Sequence, residues 1–253
     1  KDWLIEVRLS AAACRTLGVM PCLTVDDALA LPTNLCEEVA DVHEDAVSIG
    51  VLALQGGYHE HMVMLSQLGC SVHEIRQLSD LQRPLDGLVI PGGESTTMGH
   101  LARRLGLLKP LRQFVESGKP VLGTCAGLIF LADEVEGQKQ GGQDLVGGLD
   151  VTVQRNFFGS QVDSFETELE LSFVPERKVH TLFIRAPVIL RAGPAVEVLA
   201  HVLLPAQADA REQRVPVAVQ QGHVLGLAFH PELTKDACWH EYFARLVRKC
   251  ACK

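Results

Sequence analysis

One cysteine stands where an apolar run gives way to small residues. Gly123-Thr124-Cys125-Ala126-Gly127 follows Val121-Leu122 and precedes Leu128-Ile129-Phe130. The pattern is G-x-nucleophile-x-G, a strand-to-helix elbow at which another group of hydrolases places serine. Small flanking residues permit the tight turn, the side chain is carried to the top of a sheet, and the helix N-terminus favours a thiolate. The amide of Ala126 is then positioned to help bind an oxyanion. The plain alternative is a core cysteine at a packed junction, and the motif alone leaves both open.

A thiol nucleophile needs a base, and His230 directly follows the apolar run Val224-Leu225-Gly226-Leu227-Ala228-Phe229. Pro231 fixes the turn. Glu232, two residues on in an extended segment, falls on the same side as His230, where its carboxylate can orient and stabilise an imidazolium. Taken singly, His230 reads as a structural histidine and Glu232 as a surface cap; with the elbow they compose a Cys-His-Glu triad. A third element is Pro91-Gly92-Gly93-Glu94-Ser95-Thr96-Thr97. Its glycines let the backbone approach a ligand, and a freed amide there can supply a second oxyanion donor. A phosphate loop is the rival reading, but G-x-x-x-x-G-K-[ST] is absent.

These residues need a scaffold, and the hydropathy pattern supplies one. Val47–Leu54, Leu85–Ile90 and residues 120–124 are short apolar runs, the mark of strands covered on both faces. A shorter strand is expected around Ser71–Arg76. Helices are expected over 59–69, with His61, Met64, Leu65 and Leu68 at helical spacing and Gly69 as C-cap, and over 96–105, 107–117, Ala126 to about Val135, and 236–249. Residues 151–153, 182–185, 196–199, 215–219 and 224–229 read as shorter strands. This alternation predicts a doubly wound, mostly parallel α/β sheet with its site at the strand carboxyl ends.

Composition excludes several classes. The 253 residues are 47% hydrophobic and 21% charged, with 22 Gly and 12 Pro scattered, which describes a globular chain. No apolar run approaches the roughly 20 residues of a membrane span. The formal charge is −8, without a basic stripe, so neither nucleic acid nor membrane is an expected partner. Eight irregularly spaced cysteines do not form a disulfide framework and suit a reduced, cytoplasmic setting. Cys250-Ala251-Cys252 reads as a frayed tail. His59 and His61, two apart on a helix, diverge too far to share a metal and are expected at the surface. Residues 1–46 carry a net −6 without sustained periodicity and read as a weakly structured extension, leaving 47–253 as one domain.

Gly123–Gly127, Pro91–Met98 and His230-Pro231-Glu232-Leu233 resemble the class I (triad) glutamine amidotransferases. Gly50–Gly56, Arg155–Gln161, Val162–Glu166 and Phe183–Pro187 narrow the resemblance to the glutaminase subunits of pyridoxal 5'-phosphate synthases, with the plant form nearest through Gly137–Gly142. It runs from about Val47 to Val247. The resemblance implies a three-layer, flavodoxin-like α/β fold and hydrolysis of L-glutamine to L-glutamate and ammonia through a cysteine thioester. Cys125 would be the nucleophile, His230 the general acid/base and Glu232 its orienter, with Gly93 and Ala126 at the oxyanion. The family's glutamine-binding positions fall on Gly93, Glu94, Ser95, Arg155, Ile184 and Arg185, with Gln55 beside the oxyanion site. It further implies ammonia delivery to a TIM-barrel synthase subunit, dodecameric and decorated by glutaminase subunits. Pyridoxal phosphate is then a product, and no cofactor or metal is expected. Two rivals remain: a related cysteine hydrolase or peptidase on the same sheet, and a non-catalytic docking subunit.

Overall fold

Strands apolar on both faces must lie inside a covered sheet, and the runs singled out above do so in a computed structural model. It describes residues 46–137, 142–155, 164–204 and 213–252. Residues 1–45 of the expected N-terminal extension lie outside the described residues, as do 138–141 and 156–163 of the quoted motifs.

The chain begins with β1 (Ser48–Leu52), α1 (Tyr58–Gln67), β2 (Ser71–Ile75), a single helical turn α2 (Leu78–Leu81) and β3 (Gly87–Ile90). Two helices, α3 (Ser95–Arg104) and α4 (Leu108–Glu116), precede β4 (Val121–Thr124) and α5 (Ala126–Leu131). A β-rich stretch follows: β5 (Ala132–Glu136), β6 (Leu149–Gln154), β7 (Ser164–Leu171), β8 (Val174–Ile184), β9 (Val188–Ala192), β10 (Glu197–Leu204), β11 (Gln213–Gln221) and β12 (Val224–Leu227). A 3-10 turn (Pro231–Leu233) and α6 (Cys238–Ala251) close it.

The main sheet has the order β10-β11-β12-β4-β3-β1-β2. From β2 to β12 neighbouring strands are parallel; β11 and β10 add an antiparallel edge. The parallel part has the flavodoxin-like order, in which the chain winds outward in both directions from β1 and β3. Helices therefore cover both faces. α1 packs against α6, while α3 packs against α4 and α5, so the sheet is the middle of three layers. β3, β4 and β12 are buried along their whole length. α6 sends Trp239, His240, Phe243, Ala244 and Val247 inward at helical spacing, and Gly87 lets it approach closely: a Cβ there would lie 2.8 Å from Val247.

Three features differ from the sequence expectation. The helix from Ala126 ends at Leu131 rather than near Val135, because Ala132–Glu136 pairs in parallel with β6, fastened by the Thr152 hydroxyl donating to Glu134 at 2.7 Å. β7 and β9 are additional strands, the first forming a hairpin with β8 and the second an edge beside β6. Cys250 and Ala251 complete α6 instead of fraying, with the Cys250 sulfur 3.4 Å from His223 Nδ1. Phe183, Phe229 and Trp239 pack together where β8, β12 and α6 converge. That cluster fixes the backbone one residue before Ile184 and one before His230.

Candidate active site

Four strand ends meet at one edge of the sheet. β1 leads to Gln55, β3 to Gly92-Gly93, β4 to Cys125, and β12 to His230. Cys125 adopts φ 48°, ψ −102°, a left-handed conformation that a non-glycine residue rarely takes and that marks local strain. The turn closes because its glycines touch: a Cβ on Gly123 would lie 2.7 Å from the Gly127 carbonyl, and one on Gly127 1.9 Å from that of Ile90. The Cys125 amide donates to Leu227 O at 2.8 Å, tying the elbow to β12. The residue is only 6% exposed, with the sulfur 3.9 Å from the Ile184 carbonyl.

His230 is anchored at both ends. Its amide donates to Leu182 O at 2.9 Å, and its Nδ1 lies 2.7 Å from Glu232 Oε1. Glu232 reaches it from a 3-10 turn, not from the extended segment the sequence suggested; Pro231 at the start of that turn curls the carboxylate back beneath the ring. Burial alone would favour neutral imidazole, but hydrogen bonds and charge from Cys125 and Glu232 outweigh it and raise His230 to about 10. An imidazolium is thus held between sulfur and carboxylate. Burial opposes the Glu232 charge too, and His61 and His230 overcome it, lowering its pKa.

His61 is the clearest correction. Expected at the surface, it is fully buried on the inner face of α1, whereas His59 is exposed as expected. His61 Nδ1 lies 2.9 Å from His240 Nε2, and His61 Nε2 lies 3.2 Å from Thr124 Oγ1 and 3.3 Å from Glu232 Oε2. Its helical spacing with Leu65 was the available signal. Burial lowers the pKa of both histidines, His240 to about 3, so both are neutral at pH 7. The sign of the linkage follows. An unfolded His240 takes up a proton near 6.5 that the folded protein refuses until about 3. Its contribution is therefore complete above the unfolded value and is lost as pH falls through that window; His61 and Glu232 act in the same direction. Tm should fall steadily from about pH 6.5 downward, and His240→Phe should make that slope shallower in a thermal-unfolding series.

A family model, that of the SNO glutamine amidotransferases, matches residues 51–249. The chain belongs to this family. It is 49% identical over 222 residues to an Arabidopsis thaliana protein named "Probable pyridoxal 5'-phosphate synthase subunit PDX2", covering 80% of this chain and 87% of that one. It is 52% identical over 204 residues to the pyridoxal 5'-phosphate synthase subunit PdxT of Parafrankia sp. (strain EAN1pec), covering 80% and 94%. A solved glutamine amidotransferase structure matches with TM-score 0.69 and 46% identity, over 79% of this chain and 98% of that one. PurLQS from Thermotoga maritima, at TM-score 0.52 and 16% identity over 81% and 96%, shares the fold alone.

The remaining residues expected to serve a glutamine amidotransferase gather around the same edge. Gly92 lies against the His230 imidazole: a Cβ there would sit 2.4 Å from His230 Cε1. Gly93, at φ +148°, abuts the Gln55 amide, whose Oε1 accepts from the Glu94 amide at 2.9 Å. Glu94 caps α3, accepting from the Thr96 and Thr97 amides at 3.1 and 2.6 Å. Burial works against its charge, and the Thr97 and Thr96 hydrogen bonds outweigh it, lowering Glu94 to about 2. Arg155 donates to Glu94 Oε1 at 3.0 Å, to Thr96 Oγ1 at 3.1 Å and to Gln143 Oε1 at 3.0 Å. Ser95, buried beneath them, donates to the same Gln143 oxygen at 3.4 Å. Gln143 is a participant the sequence analysis did not name. Arg185 is exposed at φ 43°, immediately after Ile184. Among the described residues no group of three His, Cys, Asp or Glu is placed to hold a metal, and no helix is long and apolar enough to cross a membrane.

Proposed function

We propose that Cys125, His230 and Glu232 carry out the glutaminase reaction of this chain. As the glutaminase subunit of pyridoxal 5'-phosphate synthase, the protein supplies ammonia for vitamin B6 biosynthesis. The observation that carries the assignment is the His230 Nδ1–Glu232 Oε1 contact of 2.7 Å at the strand edge that also carries Cys125, where, against burial, Cys125 and Glu232 raise the imidazole to about 10.

The Cys125 sulfur attacks the side-chain amide carbon of glutamine, and the amide oxygen takes up the negative charge. Backbone N–H groups of Gly93 and Ala126 receive that oxyanion, with Gln55 bracing the Gly93 turn. As the carbon–nitrogen bond breaks, His230 gives its proton to the leaving nitrogen and ammonia departs. A γ-glutamyl thioester remains. Water then adds to it, giving a proton to His230; the carbon–sulfur bond breaks and glutamate leaves. Glu232 holds the ring's tautomer and stabilises its charged state throughout. The zwitterionic end of glutamine is held by Glu94 and Arg155, the second through a guanidinium suited to a carboxylate, with Ser95 and the Ile184-Arg185 backbone completing the wall.

The partner is a pyridoxal 5'-phosphate synthase subunit; in its finer form it is a TIM barrel, assembled as a dodecamer that the glutaminase decorates. Residues 47–253 form the amidotransferase domain. A working thiol suits a reducing compartment, the cytoplasm. Labelling with the diazoketone analogue of glutamine in the presence of the synthase subunit tests the assignment. Intact-mass and peptide mapping should find one adduct, on Cys125. Cys70 and Cys238, whose thiols burial raises in pKa, should stay unmodified. An adduct elsewhere, or none, overturns the assignment.

A further inference from the structure

The mechanism above leaves two buried imidazoles unused, and they lie directly behind it. Glu232 carries an acceptor-only carboxylate with one side chain oxygen facing His230. The other, Oε2, is buried, and no hydrogen bond to it is formed among the described residues. The ring nitrogen 3.3 Å away is His61 Nε2, which also lies 3.2 Å from Thr124 Oγ1, the residue preceding the nucleophile. A buried carboxylate oxygen facing a lone pair would be repelled and left unsatisfied, so Nε2 must carry the His61 proton. Nδ1 is then an acceptor, and the 2.9 Å contact makes His240 Nε2 the donor. This leaves His240 Nδ1, which has no partner among the described residues, as a bare lone pair. The reverse arrangement would instead bury an unpaired N–H there and turn a lone pair on the carboxylate. Gly57 borders the pocket: a Cβ there would lie 3.0 Å from Glu232 Oε1, so a larger residue would press on the carboxylate.

Resting on the triad reading above, we propose that His61 is a positioning residue of the glutaminase. Its Nε2–H, fixed in that tautomer by His240, holds the Glu232 carboxylate ionised and turned toward His230, and shares the same donor with Thr124 beneath the nucleophile. The titratable groups acting on this pocket are His61 and its neighbour Glu60 on α1, His240 on α6, Glu232 and His230 beyond β12, and Cys125 on the elbow.

The test compares His61→Phe, which removes the donor, with His61→Gln, whose amide nitrogen reaches the Nε2 point. Glutamate release is measured with the synthase subunit present, and the pH profile of Cys125 alkylation by iodoacetamide is measured alongside. His61→Phe should lower kcat about 10- to 100-fold with KM for glutamine changed by less than about 2-fold. It should also move the acid limb of alkylation up by about one pH unit, because the thiolate–imidazolium pair loses support from the carboxylate. His61→Gln should restore kcat to within about 3-fold and return the limb to its wild-type position. If His61→Phe does not fold, His61→Asn serves in its place, since its amide reaches only the Nδ1 point. An unmoved acid limb in the donor-less variant, or equal loss in the Gln and donor-less variants, overturns the proposal and leaves His61 a packing residue. Glutamate release surviving Cys125→Ala would instead overturn the triad reading itself, a separate outcome.

Discussion

Cys125→Ala should abolish glutamate release in the complex, by roughly ten-thousand-fold or more, while leaving the fold intact. The loss is expected to be large because, on the proposed mechanism, the Cys125 sulfur is the atom that bonds to the substrate, and no other described thiol is placed at that elbow. Survival of the fold follows from the local geometry. Alanine retains a Cβ at φ 48°, so the backbone strain is unchanged, and the elbow is held by Gly123, Gly127 and the amide bond to Leu227 rather than by the sulfur. A second readout separates chemistry from structure. Cys125 is one of the groups that hold His230 near 10; without it, burial gains ground and the imidazole should titrate lower, which NMR of the ring protons would follow. A Cys125→Ala protein with unchanged His230 titration would mean that sulfur and ring do not interact as the structure has them.

Gly92→Ala is expected to be nearly as damaging, though it adds only a methyl group and touches no substrate. That methyl would sit 2.4 Å from His230 Cε1, well inside van der Waals contact. The ring cannot retreat, since Glu232 grips Nδ1 and the backbone amide is bonded to Leu182. Either the ring or the loop must shift by about 1 Å, a misplacement that can cost about 100-fold in kcat. The control is Gly222→Ala. Gly222, unlike Gly92, has positive φ (57°), and a Cβ there meets nothing within 4 Å, so Gly222→Ala should lose about 1 kcal/mol of stability and keep its activity. Steady-state kinetics of the two variants, beside their unfolding curves, decide the matter: equal activities would show that the glycine serves only the turn.

Much of this was legible in the chain itself, for physical reasons that differ by element. β1, β3, β4 and β12 announce themselves because strands covered on both faces are made almost wholly of apolar residues, and the elbow because its turn admits only small neighbours. The helix after Cys125 was overextended because Ala132-Asp133-Glu134-Val135-Glu136 favours a helix locally; pairing with β6 overrides that preference, and an edge partner leaves little trace in sequence. His61 shows the converse. Its spacing placed it on the inward stripe, while its polarity suggested water, and only the distant His240 and Glu232 explain how an imidazole is accommodated there. Glu232 was assigned to the right ring by way of the wrong backbone path: a 3-10 turn, not an extended segment, brings its carboxylate to His230.

The site draws its groups from Gln55, Gly92, Cys125, Ile184 and His230, each delivered by a different segment. Any cut between Gln55 and His230 separates at least one member of that set from the rest. Turnover is thus an all-or-nothing reporter of whether the whole sheet has assembled, and fragments rejoined in trans would recover it only by rebuilding the sheet's central strands side by side.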